Sequence, residues 1–136
     1  MATVLLYNLS KEKLTKLRYI LFRMGLAGRE VSPAAFSQPI GFLAGLDGFE
    51  TAQEAAEEPF AEEMLVMCGL NSAQFRAFLN ALRQNRCTVP LKAVLTETNA
   101  AWSSRRLHRD LLAEHEALQK VKSKDAAAKS RHKDGK

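Results

Sequence analysis

The sequence predicts an α/β domain: a four-stranded, mostly parallel sheet made from two βαβ units, with flanking helices and a long C-terminal helix. Three observations lead there. Short apolar runs suited to buried strands alternate with stretches of helical periodicity. One cap-and-core pattern occurs twice, sixty-one residues apart: Leu9, Ser10, Leu14, Leu17 and Leu21 correspond to Leu70, Asn71, Phe75, Phe78 and Leu82. The linker between the two units is long enough for a parallel crossover. The same elements also suit a ferredoxin-like α+β sandwich, with the second unit antiparallel to the first. The parallel arrangement, in strand order 2-1-3-4, is the one expected. It would place Asn8 and Gly69 at the same edge of the sheet.

Val4 to Tyr7 reads as a buried strand closed by Asn8. Ser10 suits a helix N-cap, Leu14, Leu17 and Leu21 follow at helical spacing, and Gly25 is a natural stop. Arg29 to Ser32 is a weaker strand ended by Pro33. Ile40, Phe42, Leu43 and Leu46 suggest a short buried helix in a segment broken by Pro39, Gly41, Gly45 and Gly48. Met64 to Cys68 is the clearest strand. Gly69 turns the chain, and Asn71 with Gln74 fits a capping box ahead of Phe75, Phe78, Leu79 and Leu82. Leu91 to Leu95 is the last strand and Thr96 to Asn99 a polar turn. A helix is expected from Trp102 to about Val121, with Leu107, Leu111, Leu112 and Leu118 on its apolar side. From this spacing Leu5, Leu14, Leu17, Leu21, Leu65, Phe75, Phe78, Leu82, Val94 and Leu111 are expected to share one core.

The chain of 136 residues suits one domain, expected over 1–121, followed by a basic tail, disordered or helical, over 122–136. The net charge of +5 belongs to the end of the chain. Lys120 to Lys136 holds seven Lys or Arg and two Asp, while residues 1–119 hold thirteen charges of each sign. Residues 47–63 hold seven carboxylates and no Lys or Arg. No apolar run approaches the ~20 residues of a membrane span. The opening residues lack the pattern of a secretion signal. Two cysteines without a CxxC fit a reducing compartment, so a soluble, cytoplasmic protein is expected.

Glu63-Met-Leu-Val-Met-Cys-Gly-Leu70 and Pro90-Leu-Lys-Ala-Val-Leu-Thr-Glu-Thr-Asn99, with Leu5 to Asn8 and Gln38 to Gly45, resemble the bacterial family catalogued as domain of unknown function 3783. The resemblance spans about residues 3 to 119. It implies a compact α/β domain and carries over no catalytic residue.

In an open parallel sheet, ligands bind at the carboxyl ends of the strands. The candidate ligand-binding residues are therefore Asn8, Cys68, Gly69, Thr96, Glu97, Thr98 and Asn99. The opposing reading is that Asn8 and Thr96 to Asn99 only cap helices and shape turns. Cys68, where a strand gives way to a helix, could carry a lowered thiol pKa. The only histidines that could serve it as a base are far along the chain, at His108 and His115. Those two are seven residues apart, whereas helical zinc pairs want a spacing of four. No calcium loop, phosphate loop or dinucleotide fingerprint is present, so no catalytic residue, metal or cofactor is assigned. The function expected is a non-enzymatic binding or regulatory module, with a small ligand or a partner protein at the strand-end rim. Two alternatives stand beside it. One is a small enzyme using Cys68 and Glu97 at that rim. The other is a nucleic-acid-associated protein acting through its basic tail, a weak contact because the tail has no aromatic residue.

Overall fold

The computed structural model describes residues 2–51 and 59–134. Residues 52–58, within the acidic stretch, lie outside the described residues. The element order is β1 (Thr3–Tyr7), α1 (Lys11–Met24), β2 (Ala27–Glu30), α2 (Ile40–Leu43), β3 (Met64–Cys68), α3 (Ser72–Gln84), β4 (Leu91–Val94) and α4 (Ser104–Asp134). Short 3-10 turns occupy Pro33–Ala35 and Asn99–Ala101.

Local chemistry explains these boundaries. Ser10 Oγ accepts from the Lys13 amide, and Gly25 ends α1 in the left-handed region at φ 69°. The box at α3 is complete: Asn71 Oδ1 accepts from the Gln74 amide at 2.8 Å, and Gln74 Oε1 from the Asn71 amide at 2.9 Å. The second strand begins two residues earlier than expected, at Ala27, because pairing with β1 starts as soon as the turn after Gly25 is complete. The short helix α2 buries Ile40 and Leu43, but leaves Phe42 and Leu46 partly in solvent. The last helix extends well past Val121, and Leu118 on it is exposed.

The sheet is mixed and mostly parallel, in the order β2-β1-β3-β4. Within each unit the strands are parallel neighbours: Thr3 opposite Ala27, and Met64 opposite Leu91. The central pair is antiparallel, with Thr3 opposite Cys68 and Tyr7 opposite Met64. The mostly parallel sheet and its strand order are as expected, but the antiparallel β1–β3 pair corrects the expectation that the two units run the same way and share one strand-end edge. Asn8 and Gly69 stand at opposite ends. The order also differs from a ferredoxin-like fold, because each βαβ unit here keeps its two strands side by side rather than split.

The central strands β1 and β3 are apolar on both faces, and each face has its own cover. Val4, Leu6, Leu65 and Met67 pack against Leu17, Ile20, Leu21, Phe78 and Leu82 of α1 and α3. Leu5, Tyr7, Met64, Val66, Cys68 and Leu91 pack against Phe36, Ile40, Leu43 and Leu107. The single shared core therefore resolves into two. Leu5 and Leu111 lie in the second, because successive strand residues point to opposite faces. Val94 belongs to neither and is 45% exposed on the edge strand β4.

Candidate functional site

The antiparallel centre splits the strand-end rim in two. The carboxyl ends of β3 and β4 meet at one edge, where the chain turns at Gly69 with φ 77°. There Cys68, Gly69, Leu95, Thr96 and Glu97 line a cavity of about 830 Å³. Its other walls come from distant parts of the chain: Ala2, Gln74 of α3, Ala100, and Ala44, Leu46 and Phe49 beyond α2. The size falls in the range typical of small-molecule sites, which are mostly apolar with a few placed polar groups. A Cβ on Gly41 would sit 2.7 Å from the Phe49 ring. The bare backbone at Gly41 is what lets this ring pack in so closely.

Four of the seven candidates, Cys68, Gly69, Thr96 and Glu97, come together on this cavity. Asn99 is buried beside it and builds the loop: its Oδ1 accepts from the Thr96 amide at 2.8 Å, and its Nδ2 donates to the Val94 carbonyl at 3.0 Å. Thr98 is exposed on the same loop and does not line the cavity. Asn8 is at the other edge, in the left-handed region at φ 58°. Its Nδ2 donates to the carbonyls of Phe60 at 2.9 Å and Glu62 at 3.0 Å, pinning the approach to β3. It also borders a smaller hollow of about 370 Å³ with Leu6, Glu30 and Ser32. The walls contributed by Ala2, Ala44, Leu46, Phe49 and Ala100 were not foreseeable as site residues. The close glycines at 41, 45 and 48 were their only trace, and these mark tight chain turns rather than chemistry.

Cys68 is 4% exposed, its Sγ directed to the Val66 carbonyl at 3.7 Å. Burial pushes its thiol up to about 11, opposite to the activation a reactive cysteine needs. Burial likewise raises the Cys87 thiol and, despite the hydrogen bond shared with Ser104, the Tyr7 phenol. The nearest histidine chemistry is at the far edge. His108 Nε2 meets Glu62 Oε1 at 2.7 Å, and its ring stacks on Phe60 at 3.9 Å. Phe60 in turn stacks on Phe36 at 4.3 Å. Tyr7 and Ser104 share a buried hydrogen bond of 2.8 Å on the same side of the sheet. This is a clasp between α4 and the chain entering β3. Among the described residues no three His, Cys, Asp or Glu side chains converge as a metal site would need. No helix among them is long and apolar enough to cross a membrane.

Residues 63–118 match the family described as Domain of unknown function (DUF3783). The matched stretch runs from the residue before β3 into α4, and includes Cys68, Gly69 and the loop from Thr96 to Asn99. The other two motifs, around Leu5 and Gln38, lie outside it. No curated protein and no solved structure matches the chain.

Proposed function

We propose that the protein is a non-enzymatic binding module, taking a small, largely apolar ligand in the cavity at the carboxyl ends of β3 and β4. The observation that carries this reading is the convergence of Cys68, Gly69, Thr96 and Glu97 on one cavity with aliphatic and aromatic walls. Glu97 is the carboxylate among its described lining residues, which favours a ligand with a cationic group beside an apolar body. The enzyme reading is the weaker one. A buried thiol raised to about 11 is a poor nucleophile, and His108 is engaged with Glu62 at the opposite edge. Both cysteines are free, in keeping with a reducing compartment.

A thermal-shift and NMR screen with aliphatic and aromatic amines, set against their uncharged counterparts, tests this. Amines should raise the melting temperature and perturb resonances of Leu95 to Glu97. Ala100→Phe, which fills the cavity, should abolish the effect, and Glu97→Gln should weaken it for amines alone. Compounds that bind equally well to Ala100→Phe would sink the proposal.

A further inference from the structure

The layer formed by α1 and α3 is rich in cations on its outer surface. Residues 11–24 and 72–84 hold seven Lys or Arg and one carboxylate, Glu12. Three of the cations are neutralised: Lys13 by Glu63, Lys16 by Glu12 and Arg18 by Glu30. Lys11, Arg23, Arg76 and Arg83 have no carboxylate partner among the described residues, and all four are exposed. Two exposed aromatic rings stand on α1 with Lys11 and Arg23, while Arg76 and Arg83 are on the neighbouring helix α3. Phe22 is 83% exposed and Tyr19 57%, with the Arg23 guanidinium 5.9 Å from the centre of the Tyr19 ring. Helical spacing puts Thr15, Tyr19 and Phe22 along one outward stripe. Beside Phe22 a groove of about 260 Å³ opens toward β2, lined also by Arg18 and Gly28.

Large exposed rings on a helix already packed by its other face mark an interaction surface. Their setting among cations with few carboxylates selects a polyanion. The rings narrow the choice further. A duplex hides the faces of its bases, whereas a single strand offers each face for stacking. We infer that the outer face of α1 and α3 binds single-stranded nucleic acid, with Tyr19 and Phe22 as base-stacking platforms and Lys11, Arg23, Arg76 and Arg83 along the phosphates. This face supplies the aromatic groups that the basic tail lacks. It is separate from the cavity and does not depend on the ligand proposed there.

Fluorescence anisotropy of the full-length protein with labelled oligo-dT and oligo-rU of about 16 nucleotides tests the inference. The two arms separate DNA from RNA. Binding should appear at low salt, its logarithm falling linearly with the logarithm of salt concentration. Phe22→Ala and Tyr19→Ala should each weaken it between about fivefold and a hundredfold. The double variant Arg76→Ala/Arg83→Ala should lower the salt slope by about 0.7 per lost phosphate contact. A full-length variant with Lys129, Arg131 and Lys133 changed to Ala should retain the dependence on Phe22. Three results would overturn the inference: no binding to either oligonucleotide, binding indifferent to Phe22, Tyr19, Arg76 and Arg83, or binding to anionic phosphatidylserine vesicles alone.

Discussion

Leu5 and Val66 stand directly opposite each other at the centre of the antiparallel β1–β3 pair, and they are also equivalent positions under the sixty-one-residue spacing. The two βαβ units are thereby related by a local two-fold axis normal to the sheet. Such an axis keeps α1 and α3 on one face while reversing the strand direction, so the strand ends of the two units point to opposite edges. The backbone follows the same relation. Asn8 and Gly69 both lie at positive φ, as do Gly25 and Arg86.

Phe78 is fully buried between α3 and the sheet. Phe78→Ala should therefore cost about 3–5 kcal/mol, through lost burial and the cavity left behind. Urea denaturation reads this as a lower midpoint at similar slope. A midpoint equal to that of the parent protein would mean Phe78 does not anchor the core.

Arg86 ends α3 at φ 52°, where its counterpart Gly25 ends α1 at φ 69°. In both, the next amide bonds back into the helix, Leu26 to Leu21 and Cys87 to Leu82, each at 2.9 Å. A side chain is strained there, whatever the space around it. Gly25→Ala should cost about 1–2 kcal/mol although nothing lies within 4 Å of the added Cβ. Arg86→Gly should stabilise by up to about 1 kcal/mol. The two melting temperatures should move in opposite directions.

Asn8 combines a left-handed backbone with two side-chain hydrogen bonds to Phe60 and Glu62. Asn8→Gly removes only the bonds, while Asn8→Ala adds backbone strain. The expected losses are about 1–2 kcal/mol for glycine and a further 1 kcal/mol or so for alanine. Hydrogen exchange should speed up at residues 60–63 in both variants and stay unchanged at the cavity loop from Thr96 to Asn99.

The raised thiols set an alkaline limit. Below the ordinary thiol value of 9.0, Cys68 is protonated in folded and unfolded chains alike, so it adds no pH dependence. Between 9.0 and about 11 the unfolded chain gives up this proton while the folded one keeps it, and stability falls as pH rises. Cys87 and Tyr7 shift in the same direction and steepen the fall. Melting temperatures taken up to pH 11 should drop above 9.0, less so in Cys68→Ala relative to its own neutral-pH value. In the native protein neither cysteine should react quickly with a disulfide reagent at pH 7. A fast-reacting Cys68 would contradict this.

Among the described residues of α4, Leu107 and His108 are the last buried ones, Leu111 packs partly buried against the same core, and Leu118 is already exposed. Removing residues 122–136 should therefore leave stability within about 0.5 kcal/mol of the full chain. A large drop in melting temperature would show that the end of the chain packs on the domain.

The elements of this protein were legible because each is decided by neighbours in the chain. Ser10, Gly25 and the pair Asn71 and Gln74 mark helix ends through hydrogen bonds spanning a few residues, and Met64 to Cys68 announces a strand by its own apolar run. Four residues of the candidate site followed from the same logic, since Cys68, Gly69, Thr96 and Glu97 lie at or just beyond the ends of β3 and β4. The rest was decided only in three dimensions. Apolar strands buried on both faces usually belong to parallel sheets, because helices cover both sides. Here the segments around Phe36, Ile40 and Leu107 cover the second face, so an antiparallel central pair has the same composition. Leu5 opposite Val66 buries as well in either direction, and a long linker closes either way at similar entropic cost. Strand direction is thus a property of the whole assembly, and with it the separation of Asn8 from Gly69. The apolar walls of the cavity are a tertiary matter for the same reason: Ala2, Phe49 and Ala100 carry no distinctive chemistry, and only folding brings them to Glu97.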